Sequence, residues 1–519
     1  MGADVCDLMT FDALLAHWGK TRSEGTAFSH DGRVTSYAEL EERTARVASC
    51  LLAAGLSKGD RIVWIGKNSD LYFTLLYGAA RAGIVMAPIG WRLSPTEWAY
   101  IVNDTCAKIV FAGPGFDGVP EQLAGNLDGA PRIILAEEAC AQINAASRID
   151  FDPAVEDDAV LQLYTSGTTG NPKGAVLSNR NLFALRRHAQ EVDMPHMEWS
   201  DDEAVLVAMP CAHIGGTGLG LMALAAGLPG VILTEFNAEG VFDAVEQHGV
   251  TRFFVVPAAL QMLLLHPRCA TVDYGRLKYI IYGAAPIPLG LLRESVKMFG
   301  AQFLQTYGMT ETTGTIAVLP PEDHDADGND RMRSAGRALP GVEIEVVGPD
   351  GQPLLRGEIG EIVTRSSNNM LGYWNLSEAT AQTIDAEGWL HTGDAGFMDE
   401  DGYVFIRDRM KDMIISGGEN VYPAEVESAI YGHPAVQEVA VIGIPDAKWG
   451  EAVKAVVVAK PGMIIEEDEI IAWARERIAA FKAPRSVDMI GELPRNASGK
   501  ILRKDLRAPY WKGRDRMVN

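Results

Sequence analysis

Residues 164–174 read YTSGTTGNPKG, a stretch that gathers four serine and threonine hydroxyls, three glycines and a lysine. Such a loop turns many backbone N–H groups and hydroxyls onto one concave surface, which suits a phosphate. Lys173 adds a mobile positive charge for a leaving polyphosphate. The same residue types also build an ordinary turn. The pattern is not G-x-x-x-x-G-K-[ST], because Asn171 and Pro172 separate Gly170 from the lysine. Three further clusters could do chemistry. QTYGMTET places Thr310 and Glu311 just past a glycine turn, GWLHTGDAG offers Asp394 in a tight turn after an aromatic, and PRNASGKILRK carries Lys500. Each has a plain alternative: a helix start, a hairpin turn and a basic surface tail.

These residues need elements to hold them. The loop follows AVLQL, a short apolar run that reads as a strand, and Pro172 prevents a helix from starting at once. SYAELEERTARVASCLLAAGL opens on Ser36 as an N-cap, keeps helical spacing and ends at Gly55. RIVWIG then reads as a strand and LYFTLLYGAARAG as a helix. The rhythm returns at GVILTEF, FDAVEQHG, TRFFVVP, LKYIIYGAA and FLQTYG, which indicates α/β layers with parallel sheets. After about residue 335, alternating runs with turns at Pro-Asp-Gly and at Asp401-Gly402 predict a smaller antiparallel β unit. A compact α+β piece follows from Arg409. The boundary is placed near 408–412, giving an N-terminal domain over 1–408 and a C-terminal one over 409–519.

The bulk numbers set limits. A chain of 519 residues exceeds one ordinary core. With 47% hydrophobic and 22% charged residues it is globular in composition. A net charge of -23 argues against nucleic acid as a partner. The six cysteines, scattered and without C-x-x-C, suit reduced thiols and a cytoplasmic location. No signal peptide is visible, and Cys6 stands where an N-myristoylation motif wants Ser or Thr. GLGLMALAAGLPGVIL, the most apolar run, is too short for a membrane span and reads as a buried helix and turn.

In this order the clusters resemble the adenylate-forming superfamily: acyl-CoA synthetases, adenylation domains of peptide synthetases and firefly luciferase. The resemblance covers about residues 30–506 and rests on YTSGTTGNPKG, YGMTE, TGD, RDRMKDMIISGGENVYP and the late Gly-Lys. It is nearest to the fatty-acyl-CoA synthetases. It implies a large N-terminal domain of layered sheets and helices with a small β-rich subdomain, and a mobile α+β lid joined by a hinge.

The resemblance also implies roles. Thr165, Ser166, Gly167, Thr168, Thr169, Gly170 and Lys173 would hold the β- and γ-phosphates of ATP. Thr310 would bind the α-phosphate, and Glu311, with Thr168 beside it, would bind Mg²⁺. Gly283, Ala284 and Ala285, with Gln305, Thr306 and Tyr307, would line the adenine slot. Asp394 would accept both ribose hydroxyls, Arg409 would reach the same sugar, and Asn420 would sit near the nucleotide. Lys500 would bridge the substrate carboxylate and the α-phosphate, where charge builds during transfer. Gly417 and Gly418 would border the pantetheine tunnel of coenzyme A, and Lys411 would be the hinge.

His213 would border the acyl pocket, or else be a hydrogen-bonded core histidine. Gly215, Gly216 and Gly218 would leave space for a long or bulky acyl group, though glycines also serve helix packing. The expectation is an ATP-, Mg²⁺- and CoA-dependent ligase for a medium- or long-chain fatty acid. Aryl, bile-acid and steroid side-chain acids stay open. Amino-acid activation is disfavoured, because MPCAHIGG lacks an Asp for an α-ammonium and no carrier domain follows. A luciferase-like oxygenase is not excluded, whereas a non-catalytic sensor would lack Lys500, Glu311 or Asp394. The tail from Pro494 carries eight Lys/Arg against two Asp, which suits the phosphates of CoA or a weak peripheral membrane contact. A homodimer is compatible with this reading.

Overall fold

The computed structural model describes residues 3–165, 171–189, 192, 194–495 and 501–512. The alternating strands and helices assemble two large, mostly parallel sheets. In the first, of nine strands, Val205–Val207, Arg252–Val255, Tyr279–Gly283 and Gln302–Tyr307 run parallel, and Gly230–Ile232 and Thr26–His30 continue the order on the other side. In the second, of seven strands, Ala159–Thr165, Val85–Ile89, Arg61–Ile65, Ile109–Ala112 and Arg132–Leu135 are parallel. Strands such as Arg61–Ile65 are buried along their whole length, as expected when both faces of a parallel sheet are covered.

Local signals in the sequence explain the helices. Ser36 caps Tyr37–Ala53 by accepting the Glu39 N–H, and Gly55 follows in the left-handed region. The apolar run forms the helix Ile214–Ala226, which is buried over most of its length and ends at Gly227. It is hydrophobic all round because it packs inside the domain. Among the described residues no helix is long and apolar enough to cross a membrane.

Beyond these sheets lies an antiparallel four-stranded one, in the order Val342–Val347, Gly360–Ser366, Leu390–Met398, Val404–Arg409. The C-terminal unit has its own core, around Ile414, Val426, Ile430, Val453 and Ile470, apart from the main core. A short 3-10 turn, Met410–Asp412, carries the chain between the two. The expected α/β architecture, with a smaller α+β unit after it, is thus observed.

Candidate active site

The loop YTSGTTGNPKG joins two antiparallel strands, Ala159–Thr165 and Lys173–Ser178, and Thr165 is in register with Lys173. The hairpin brings both residues to the wall of a cavity of about 1750 Å³. Ser166, Gly167, Thr168, Thr169 and Gly170 lie outside the described residues, as does Lys500. The cavity sits beyond the carboxyl ends of the parallel strands, where Val256, Ala284 and Thr306 follow or end their strands. Open α/β sheets present their ligand crevices at that edge.

The cavity's polar end is a hydrogen-bonded set. Glu311, in the 3-10 turn Thr310–Thr312, is 5% exposed. Its Oε1 accepts from the Tyr373 hydroxyl at 2.7 Å and from Thr165 Oγ1 at 3.4 Å. Lys173 Nζ lies 4.9 Å from the centre of the Tyr373 ring. Burial, with the Glu311 carboxylate beside it, pushes the Tyr373 phenol up, so it stays a donor at neutral pH. Thr310 lines the same wall. Thr165, Lys173, Thr310 and Glu311 are therefore brought together, although 146 positions separate Thr165 from Glu311.

Asp394 is not in a tight turn. It lies inside the strand Leu390–Met398, just after Gly393, opposite Arg409 on the neighbouring strand. Arg409 Nε lies 2.7 Å from Asp394 Oδ1, and the Tyr307 hydroxyl donates to Oδ2 at 2.7 Å. Tyr307 thus meets the carboxylate rather than lining the cavity. Ala284 and Thr306 do line it, whereas Gln305 turns to the Tyr282 hydroxyl, 3.1 Å away. At Gly283 a Cβ would stand 2.3 Å from the Thr306 carbonyl, so this glycine permits close strand approach. Ala285 is half-buried and does not line the cavity. Ala284 holds φ at +64°, a left-handed conformation that alanine seldom takes.

The apolar end follows the helix Ile214–Ala226, whose cavity-lining residues run from Ile214 and Gly218 through Met222 to Ala226. Thirteen residues at 1.5 Å each make this wall roughly 20 Å long. His213 stands at its start, and its Nε2 has no hydrogen-bond partner among the described residues. Burial, reinforced by Arg92, lowers the His213 pKa to about 4, so the imidazole is neutral at pH 7. The hydrogen-bonded core histidine is therefore not what is found at Nε2.

Gly216 lines the cavity, as expected of an acyl-pocket residue, but it does not leave space there for an acyl group. A Cβ there would stand 2.4 Å from the carbonyl oxygens of Met209 and Pro210, so its missing side chain lets the helix start pack on that turn. At Gly215 a Cβ would stand 2.9 Å from the Phe254 ring. Only Gly218, among these three, looks onto open space.

The C-terminal unit contributes Ile501, Arg503, Lys504 and Arg507 to the cavity wall, and Lys411 lines it from the 3-10 turn. Gly417, Gly418 and Asn420 do not line it. Gly417 and Gly418 have φ of +65° and +87° and connect Ile414–Ser416 to Glu419–Val421. A two-residue hairpin with both central residues left-handed needs glycine for its own geometry. Tyr373 was missed by the sequence reading. Only its place beside Ala175, on the strand that follows the loop, connects GYW to Glu311.

Comparison with known proteins gives the family of the chain. The AMP-binding enzyme family matches residues 15–374, and the AMP-binding enzyme C-terminal domain matches residues 425–500. The chain is 40% identical over 493 residues to the fatty acid–[acyl-carrier-protein] ligase ScoC of Streptomyces coeruleorubidus, covering 94% of both chains. It is also 40% identical to a feruloyl-CoA synthase of an Amycolatopsis species, over 93% of this chain and 96% of that one. Among solved structures, ATP-bound MatB from Rhodopseudomonas palustris superposes with a TM-score of 0.87 at 33% identity, covering 97% of this chain and 99% of that one.

Proposed function

Because the chain belongs to the AMP-binding enzyme family, we propose that it activates a medium- or long-chain carboxylic acid as its acyl-adenylate and passes the acyl group to coenzyme A. It is an ATP-dependent, AMP-forming ligase. The observation that carries the finer reading is one continuous cavity with two chemically different ends. Thr165, Lys173, Glu311 and Arg409 crowd the polar end, and a roughly 20 Å helical wall runs from it past Gly218, Met222 and Ala226.

In this reading Asp394, oriented by Tyr307 and Arg409, takes the ribose hydroxyls. Lys173 and the loop after Thr165 meet the outer phosphates. The acid needs no general base, since a carboxyl with a pKa of about 4 is ionised at pH 7. One carboxylate oxygen attacks the α-phosphorus, pyrophosphate leaves, and Lys500 offsets the charge on the non-bridging oxygens. The thiol of CoA then attacks the acyl carbonyl, and AMP departs with the attacking oxygen.

Glu311 would supply one hard oxygen ligand, which fits Mg²⁺ brought in with the nucleotide. Such an ion would neutralise phosphate charge. No group of three His, Cys, Asp or Glu side chains among the described residues could hold a metal by itself.

The test is a panel of aliphatic, aryl and steroidal acids, followed by pyrophosphate release and by thioester formation with CoA or with a phosphopantetheinylated carrier protein. Highest kcat/KM for aliphatic acids with CoA supports the proposal. Preference for an aryl acid, or for the carrier protein, would replace it.

A further inference from the structure

Behind the apolar end of the acyl cavity lies a second cavity of about 290 Å³. Two residues line both spaces: Ala226, at the end of the helical wall, and Trp199. On the far side the second cavity is bounded by Val5, Trp18 and Leu228, and by the ion pair between Arg22 and Asp201. Trp18 Nε1 is buried there without a hydrogen-bond partner among the described residues.

Trp199 is held firmly. The Arg252 guanidinium lies 3.9 Å from the centre of its ring and also faces the Tyr279 ring at 4.4 Å. Arg252 is itself fixed by Glu203, 2.5 Å from Nε, and donates to the backbone carbonyls of His196, within the short Pro195–Met197 segment, and of Glu198, just after it. The guanidinium thus clamps the backbone next to Trp199 and stacks on its ring. Those hydrogen bonds do not involve the indole, so the clamp survives loss of the ring.

We propose that Trp199 is a specificity-determining residue: its clamped indole walls off the second cavity and so sets the greatest length of acid the site accepts. The inference rests on the reading of this cavity as the acyl site. An acid whose carboxylate lies at the polar end extends along the helix from Gly218 past Met222, and its tail meets Trp199 beside Ala226. A bulky, immobile ring at that point excludes further methylenes, and the space behind it is already there to receive them.

The experiment compares the full-length wild type with Trp199→Ala and Trp199→Leu across saturated acids of increasing length, reading acid-dependent pyrophosphate release. Both variants should shift the optimum to longer acids. For acids just beyond the wild-type limit, kcat/KM should rise on the order of 10-fold or more, the scale of discrimination by one methylene in an apolar pocket. Leu228 lines only the second cavity, so Leu228→Trp fills that space alone. In the wild-type background it should leave the length profile unchanged, and combined with Trp199→Ala it should restore the shorter optimum. A profile that stays put in both Trp199 variants, while they still release pyrophosphate with shorter acids, overturns the inference. A shift that Leu228→Trp fails to reverse also overturns it, because the added length would then run elsewhere. If no acid supports pyrophosphate release by the wild type, the acyl-site reading itself is wrong, a result distinct from either.

Discussion

Asp394 and Arg409 stand opposite each other on adjacent antiparallel strands, with Arg409 Nε 2.7 Å from Asp394 Oδ1. Tyr307 donates to the other carboxylate oxygen from a third strand, so one anion ties the antiparallel sheet to the parallel one. Backbone pairing fixes the first contact and sheet packing the second. A carboxylate held from both sides is oriented before any ligand arrives.

Tyr307→Phe should therefore weaken nucleotide binding without altering acid selectivity. A hydrogen bond to a charged group contributes about 1.5–3 kcal/mol, so ATP affinity should fall roughly 10-fold or more. Calorimetric titration with a non-hydrolysable ATP analogue measures it. Unchanged affinity would mean that the tyrosine serves only the fold.

Glu311→Gln keeps size and hydrogen bonding but removes the charge that a hard cation needs. The Mg²⁺ concentration for half-maximal pyrophosphate release should rise, and adenylation should slow. Tyr373→Phe, which frees Glu311 Oε1 from its 2.7 Å donor, should produce a smaller change in the same titration. Overlaid Mg²⁺ curves for wild type and Glu311→Gln would assign the metal role elsewhere.

Gly218 and Gly216 should behave oppositely. Gly218→Leu enters open space and should shorten the accepted acid with little loss of stability. Gly216→Ala drives a methyl toward two carbonyl oxygens and should destabilise by about 1–3 kcal/mol with no change of selectivity. Denaturant titration and the acid profile, run on both variants, separate the two roles. A shortened acid profile in stable Gly216→Ala protein would restore the space-leaving reading.

This pair shows where the sequence was legible and where it was not. Strand and helix periodicity, and caps such as Ser36, are local signals, so the α/β layers and the α+β C-terminal unit could be read in order. The glycines after His213 could not be sorted, because what a Cβ would strike belongs to another segment: the Met209 and Pro210 carbonyls for Gly216, nothing for Gly218. The same limit hid Tyr373, which meets Glu311 only through sheet pairing, and it sent Tyr307 to the adenine slot when its hydroxyl instead finds Asp394 from 87 positions away. Gly417 and Gly418 carried two messages at once, since the turn that needs them would need them with or without a thiol ligand nearby. Gly-rich loops and charged clusters advertise chemistry, whereas the side chains that orient them are set by tertiary packing.

Asp408 gives a pH prediction. Burial pushes its carboxyl up to about 6, with Arg503 drawing it down and Glu427 raising it again. An unfolded aspartate titrates near 3.9, so between roughly pH 4 and 6 the folded state keeps a proton that the unfolded state has lost. This group's contribution therefore favours folding at low pH and declines as pH rises to about 6. Asp408→Asn stays neutral throughout. Its stability relative to wild type should improve between pH 4 and 7 by about 2 kcal/mol, since each tenfold difference in proton affinity between the folded and unfolded states corresponds to about 1.4 kcal/mol. Parallel stability curves from denaturant titrations across that range would contradict the assignment.

The proposed chemistry predicts where an oxygen atom goes. With both carboxylate oxygens of the acid replaced by ¹⁸O, attack on the α-phosphorus followed by thiolysis places one label in the phosphoryl group of AMP and leaves one in the acyl-CoA. Mass spectrometry of the products after turnover with ATP, Mg²⁺ and CoA reads both. One ¹⁸O per AMP, formed in step with acyl-CoA and lost with it in Lys500→Ala, is the expected result. Acyl-CoA formed with unlabelled AMP, or with the label in inorganic phosphate alongside ADP, would contradict acyl-adenylate formation at this site.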